Sequence, residues 1–206
     1  MKYIFVAGAP GSKWSSVAKN IYYSDSIDRT DWRDDCVYQH PTQGATGALH
    51  SGAYFDPGQE YGAWFDRLSE FSAAECEAEF DRPFSGSGSR VIKSHQFCHY
   101  VDFLKQHWPR CPVVCVLRDP DASLGWWIRC GGFDISYPEY RSYYKDNATM
   151  ARCIDHQNSN LTQACDRRSY TSVKNNLQLA QALGIAMPPP QYYQDYQAAG
   201  IAVKIL

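Results

Sequence analysis

Tyr3-Ile4-Phe5-Val6-Ala7-Gly8-Ala9-Pro10-Gly11-Ser12-Lys13-Trp14-Ser15-Ser16 runs from an apolar stretch through two glycines and a proline into an amphipathic repeat. The run Lys2 to Ala7 has the character of a buried strand that stops at Gly8. Val17 and Ile21, with Ala18 and Tyr22, recur four residues apart and predict a helix from near Trp14. Strand, glycine turn and helix in this order present unpaired N–H groups and the positive end of a helix dipole, a setting that suits a phosphate. Lys13 adds charge, and Ser15 and Ser16 add hydroxyl donors. The ordinary alternative is a β-turn followed by a serine N-cap. The segment is not a Walker A loop. Ser12 stands where a glycine precedes the lysine, and Trp14 stands where a hydroxyl would reach magnesium.

Outward from this segment the pattern repeats. Arg90 to Ser94 predicts a second strand, and Tyr100, Phe103, Leu104 and His107 predict a helix after it. Pro112 to Leu117 is almost continuously apolar, as a central parallel strand covered on both faces is. Asp119-Pro120 opens a further helix. Helices are also predicted over 63–79, 137–158 and 172–183, the last stopped by Gly184. Residues 36–62, with five glycines and two prolines, read as a long loop, and 85–89 as a connector. The expected fold is a single α/β domain over 1–206, a three-layer αβα arrangement around a mostly parallel central sheet. Ligands of such sheets bind beyond the carboxyl ends of the strands.

The length of 206 residues allows one domain with a substantial core. A formal net charge of −2 excludes a general polyanion coat, so no nucleic-acid partner is expected. An apolar strand from the first residues leaves no signal peptide, and no apolar run is long enough to span a membrane. A cytoplasmic protein with no membrane partner is expected. The eight cysteines include no CxxC pair, so neither a disulfide framework nor a metal module is expected.

Three strand ends carry the chemistry. After the first lies the glycine loop. After the second come Lys93 and His95, two positions apart and so expected to project together if the strand continues. A histidine is a natural base for a hydroxyl, and a lysine neutralises a departing phosphate. After the third, Arg118 is placed to grip a phosphate with its planar fork. Each segment also has an ordinary reading, as a solvated strand end or an Arg118–Asp119 surface pair.

Together these segments resemble the sulfotransferases that use 3′-phosphoadenosine 5′-phosphosulfate, which have a P-loop NTPase-like fold. The family's loop runs approximately Pro-Lys-Ser-Gly-Thr-Thr, and this chain has Pro10-Gly11-Ser12-Lys13-Trp14-Ser15. Its Lys-Thr-His corresponds to Lys93-Ser94-His95, and its Arg-Asn/Asp-Pro to Arg118-Asp119-Pro120. The resemblance covers roughly residues 1–130. It implies that Gly11 to Ser16 cradle the 5′-phosphosulfate, that Arg118 and a helix serine hold the 3′-phosphate, and that His95 is the general base. It also implies that Lys93 and Lys13 stabilise the departing phosphate without a metal. The departures are specific. Gly11 stands at the family's loop lysine, Lys13 at its glycine, and Trp126 at its helix serine, for which Ser123 is the nearest substitute. The family's late basic loop has no match, and Arg167 with Arg168 is the candidate in its place.

The implied reaction is sulfuryl transfer to an acceptor hydroxyl on a small molecule or glycan, with His40, His50, Tyr54, Phe55, Trp126, Trp127 or Tyr137 available to cover the acceptor. Two other readings stand beside it: a magnesium-dependent P-loop nucleotide kinase, and a relative that binds nucleotide without turnover.

Overall fold

The computed structural model describes residues 1–31, 37–40, 45–49, 53–54, 65–135, 141, 144–190 and 193–206, with 37–40, 45–49, 53–54 and 65 as backbone alone. The first strand, β1 (Tyr3–Gly8), is buried at every position, and α1 (Trp14–Tyr22) follows it. Short strands β2 (Val37–His40) and β3 (Ala45–Leu49) pair antiparallel with each other. β4 (Ala53–Tyr54), α2 (Ala73–Asp81), β5 (Arg90–Lys93), α3 (Phe97–His107), β6 (Val113–Leu117) and α4 (Pro120–Arg129) come next. The chain ends with α5 (Asn147–Asp166), β7 (Thr171–Val173), α6 (Asn176–Leu183) and β8 (Ala202–Ile205).

The main sheet has the order β4-β5-β1-β6-β8-β7. β4, β5, β1 and β6 run parallel, and β8 runs against both β6 and β7. The sheet is therefore mixed rather than uniformly parallel. Side-chain alternation along the strands builds two cores. Tyr3, Phe5 and Ala7 with Val113, Cys115 and Leu117 face α2, α3 and α5. Ile4 and Val6 with Val114 and Val116 face α1 and α6. These are the two helical layers of an αβα arrangement.

Several boundaries differ from the sequence expectation. Parts of 36–62 are strands, because cross-strand partners decide pairing and composition does not. The helix expected over 63–79 is a 3₁₀ segment at Phe65–Glu70 and then α2. Ser72 separates them: its side chain accepts from the Glu75 N–H while Glu75 accepts from the Ser72 N–H, a capping box that starts a new helix. Within the helix expected over 137–158, Arg141 and Tyr144 are helical, Lys145 at φ 63° breaks the run, and a new helix starts after Asp146, whose carboxylate accepts from the Thr149 N–H, and runs on to Asp166. That expected from 172 begins after Asn175, with β7 before it.

Chain order reverses between β1 and β6. The chain leaves β1 toward β5 on one side and returns from β5 to β6 on the other. The loops after β1 and β6 diverge there, at the topological switch point where open α/β sheets bind ligands.

Candidate functional site at the carboxyl ends of the first and central strands

Gly11 seats the loop after β1 against α4. Its φ is +75°, and a Cβ there would lie 2.0 Å from the Ser123 carbonyl oxygen. This is why no lysine stands at position 11: a side chain has no space. The Ser12 N–H closes the turn onto the Ala9 carbonyl at 3.0 Å. The Ser12 side chain is buried and packs toward Gly8, and Pro10 is buried as well.

Lys13 adopts φ 66° and ψ 16°, the left-handed conformation glycine takes at little cost. The chain thus keeps a glycine-type backbone at this position while placing a cation there. Lys13 Nζ donates to the Ala199 carbonyl at 2.9 Å and lies 4.8 Å from the Trp126 ring centroid. Left-handed backbone costs a non-glycine residue about 1 kcal/mol. Lys13→Gly is therefore expected to be more stable than Lys13→Ala by about 1 kcal/mol in chemical denaturation, with both equally weakened in anion binding.

Arg118 donates from Nη1 to the Gly11 carbonyl at 2.9 Å, tying the loop after β6 to the loop after β1. Its guanidinium carbon is 5.8 Å from the Trp126 ring centroid, and that of Arg129 is 5.4 Å away. Three cations thus surround one indole at the start of α1. Partial burial, and then Arg118 and Arg129, lower the Lys13 pKa. Such crowding is relieved by an anion. Beside it an open cavity of about 490 Å³ is lined by Arg118, Asp119, Asn158, Gln197 and Gly200, among others. Trp126 and Arg129 were not among the expected anion ligands. Their signal was helical spacing, i and i+3 on α4, which places them on one face.

Other expected ligands lie elsewhere. Ser123 is buried under the loop, where its carbonyl abuts Gly11. Trp14 is a core residue of the α1 layer. Ser16 donates to Gln194 Oε1 at 3.0 Å, while Ser15 is half-buried on the first turn. Arg167 and Arg168 pair with Asp102 on α3 and not with the loop. Trp127 is buried against Phe133, with ring centroids 4.8 Å apart. Among the acceptor-side candidates, His50, Phe55 and Tyr137 lie outside the described residues, as do the side chains of His40 and Tyr54.

Lys93 and His95 do not share a face. β5 ends at Lys93, and the Ser94 hydroxyl accepts from the Gln96 N–H at 3.0 Å, turning the chain into α3. Lys93 is wholly buried on the α1 side, with Nζ 5.9 Å from the Trp14 ring centroid. It is near enough to Asp31 to stabilise that carboxylate. Burial nonetheless pushes the Asp31 pKa up from 3.8 to about 6, against the hydrogen bond from Tyr22 and the charge of Lys93. Because the folded pKa is the higher one, Asp31 contributes stability below pH 4 that is lost as pH rises through about 6. The loss is about 3 kcal/mol at most. Asp31→Asn is expected to remove this part of the pH dependence, as read from unfolding at pH 4 and pH 7.

His95 is 2 % exposed and lies on the α5 side. Its Nδ1 is 2.8 Å from Gln157 Nε2, and Tyr144 Oη lies 3.3 Å from Nδ1 and 3.2 Å from Nε2. Tyr144 belongs to an apolar cluster with Ala9 of the loop and Trp127 of α4, against which Trp126 packs.

Among the described residues no group of three or more His, Cys, Asp or Glu side chains is placed to hold a metal ion, and no helix is long and apolar enough to cross a membrane. Seven cysteines are free thiols, and Cys36 lies outside the described residues. Compared with known proteins, the chain matches no family model, no curated protein sequence and no solved structure.

Proposed function

We propose that this chain is a cytoplasmic sulfotransferase of the P-loop-like fold, passing a sulfuryl group from 3′-phosphoadenosine 5′-phosphosulfate to an acceptor hydroxyl. The observation that carries the reading is the convergence of Lys13, Arg118 and Arg129 on Trp126 at the start of α1, beside the switch point. The positive end of the α1 dipole suits the 5′-phosphosulfate, with the Ser16 N–H bonded to the Lys13 carbonyl at 2.9 Å. Arg118 and Arg129 supply counter-charge for the 3′-phosphate, a role the buried Ser123 does not fill. Lys13 stabilises the departing phosphate. The Lys and Arg groups do by charge what a divalent cation does in kinases. The acceptor's proton leaves toward His95 and the groups bonded to it.

The test is calorimetric titration with 3′,5′-adenosine bisphosphate without metal, against ATP with magnesium. The bisphosphate is expected to bind without metal, and more weakly as salt rises. Arg118→Ala is expected to weaken it by about 1.5–3 kcal/mol, the range for a hydrogen bond to a charged group. Binding of magnesium-ATP alone would turn the reading to a kinase, and binding of neither would remove the anion site.

A further inference from the structure

Two histidines that the anion site does not use stand on neighbouring helices. His99 lies in the first turn of α3 and His156 on α5, and the two helices pack together. Their ring centroids are 5.0 Å apart, with the planes at 58°. His99 Nδ1 is 2.7 Å and His156 Nε2 3.3 Å from one atom, Nδ2 of Asn160. Two ring nitrogens from two helices therefore address a single point. Turning the Asn160 amide end for end puts its oxygen there instead, and the point stays where it is. His156 and Asn160 are four positions apart on α5 and so share a face. Burial, and then His156 and His95, push the His99 pKa down to about 4, so its ring is neutral and keeps a lone pair at neutral pH. Open space of about 220 Å³ beside the group is lined by His99, Asn160, Gln163 and Asp102, among others. Asp102 is itself engaged by Arg167 and Arg168.

We propose that His99, His156 and Asn160 form a site for a divalent transition-metal ion of the zinc class, joining α3 to α5. The ligands are His99 Nδ1, His156 Nε2 and the Asn160 amide oxygen, with water in the fourth position of a tetrahedron. Bonds of about 2.0–2.2 Å to zinc are shorter than the present separations, so the side chains rotate inward, as the exposed His156 ring is free to do. Among the described residues no third His, Cys, Asp or Glu is placed with the pair, so the site is weaker than a structural zinc centre. Imidazole ligands select zinc, nickel and copper over magnesium and calcium. The site shares no residue with the cations around Trp126, and the inference stands apart from sulfuryl transfer.

The test is calorimetric titration of the full chain, first stripped with a chelator, with zinc chloride and with magnesium chloride. One equivalent of zinc is expected to bind at this site, and magnesium is not. His156→Ala, at an exposed ring, and His99→Gln are each expected to weaken zinc binding about tenfold or more. Asn160→His brings a third imidazole to the shared point and is expected to tighten it by about the same factor. His107→Gln, at the far end of α3, is expected to leave it unchanged. If His99→Gln does not fold, His156→Ala and Asn160→His decide between them. A parent that binds no zinc, or parental affinity in His156→Ala together with no gain in Asn160→His, would overturn the proposal. Cobalt(II) in place of zinc is expected to give visible bands of a nitrogen–oxygen site. Thiolate charge-transfer bands that persist in His156→Ala would assign the ion to cysteines and likewise overturn it.

Discussion

Gly11→Ala is expected to be the most damaging single-methyl change at the anion site. The added Cβ would sit 2.0 Å from the Ser123 carbonyl oxygen, and that atom is helix backbone that cannot rotate away. Alanine at φ +75° is also strained by about 1–2 kcal/mol before any overlap. Either the loop lifts from α4 or α4 shifts. Both break the Arg118 Nη1 bond to the Gly11 carbonyl. A loss of about 2–4 kcal/mol in unfolding free energy is expected, in the upper range for point substitutions. Bisphosphate binding should fall below detection by calorimetry. An alanine variant with parental stability and affinity would show that the loop does not depend on this seat.

His95→Ala is expected to leave bisphosphate affinity within a few-fold of the parent and to reduce kcat by about 10²–10⁴-fold, or roughly 3–5 kcal/mol of barrier. The reason is that the imidazole and the cations have different hydrogen-bond partners. His95 contacts Gln157 and Tyr144, whereas Lys13 and Arg118 donate to the Ala199 and Gly11 carbonyls and lie against Trp126. Removing the imidazole therefore spares the cations and removes the group toward which the acceptor's proton is proposed to leave. Turnover at the parental rate would take His95 out of the chemistry altogether. A loss of bisphosphate affinity as large as that of Arg118→Ala would place His95 in the anion site instead.

The loop and arginine of the proposed anion side were more legible than the surroundings of His95. The loop after β1 and the Arg118 corner are short local patterns, and both lie where the sequence places them. Lys93 and His95 misled because the two-residue period holds only while a strand continues. The Ser94 hydroxyl ends it, and serine at a strand end is a turn former whose effect is local and readable. The Ser72–Glu75 capping box was equally readable. β8 was not. Ile201, Val203 and Ile205 alternate with Ala202 and Lys204, but four residues near the chain end become a strand only by pairing with β6.

By itself the sequence determined the two-faced strands, the glycine turn before α1 and the arginine that follows β6. These depend on periodicity and on backbone preferences within a few residues, which no distant contact needs to supply. Only the tertiary structure decided that Gly11 rests on α4 and that Lys13 takes the left-handed turn to meet the Ala199 carbonyl, 186 positions away. It also decided that Arg129 joins Lys13 and Arg118 around Trp126, and that Gln157 and Tyr144 enclose His95. Each of these contacts depends on how helices seat on the sheet. That seating is fixed by close packing of the whole core, and it leaves no local mark on the residues it brings together.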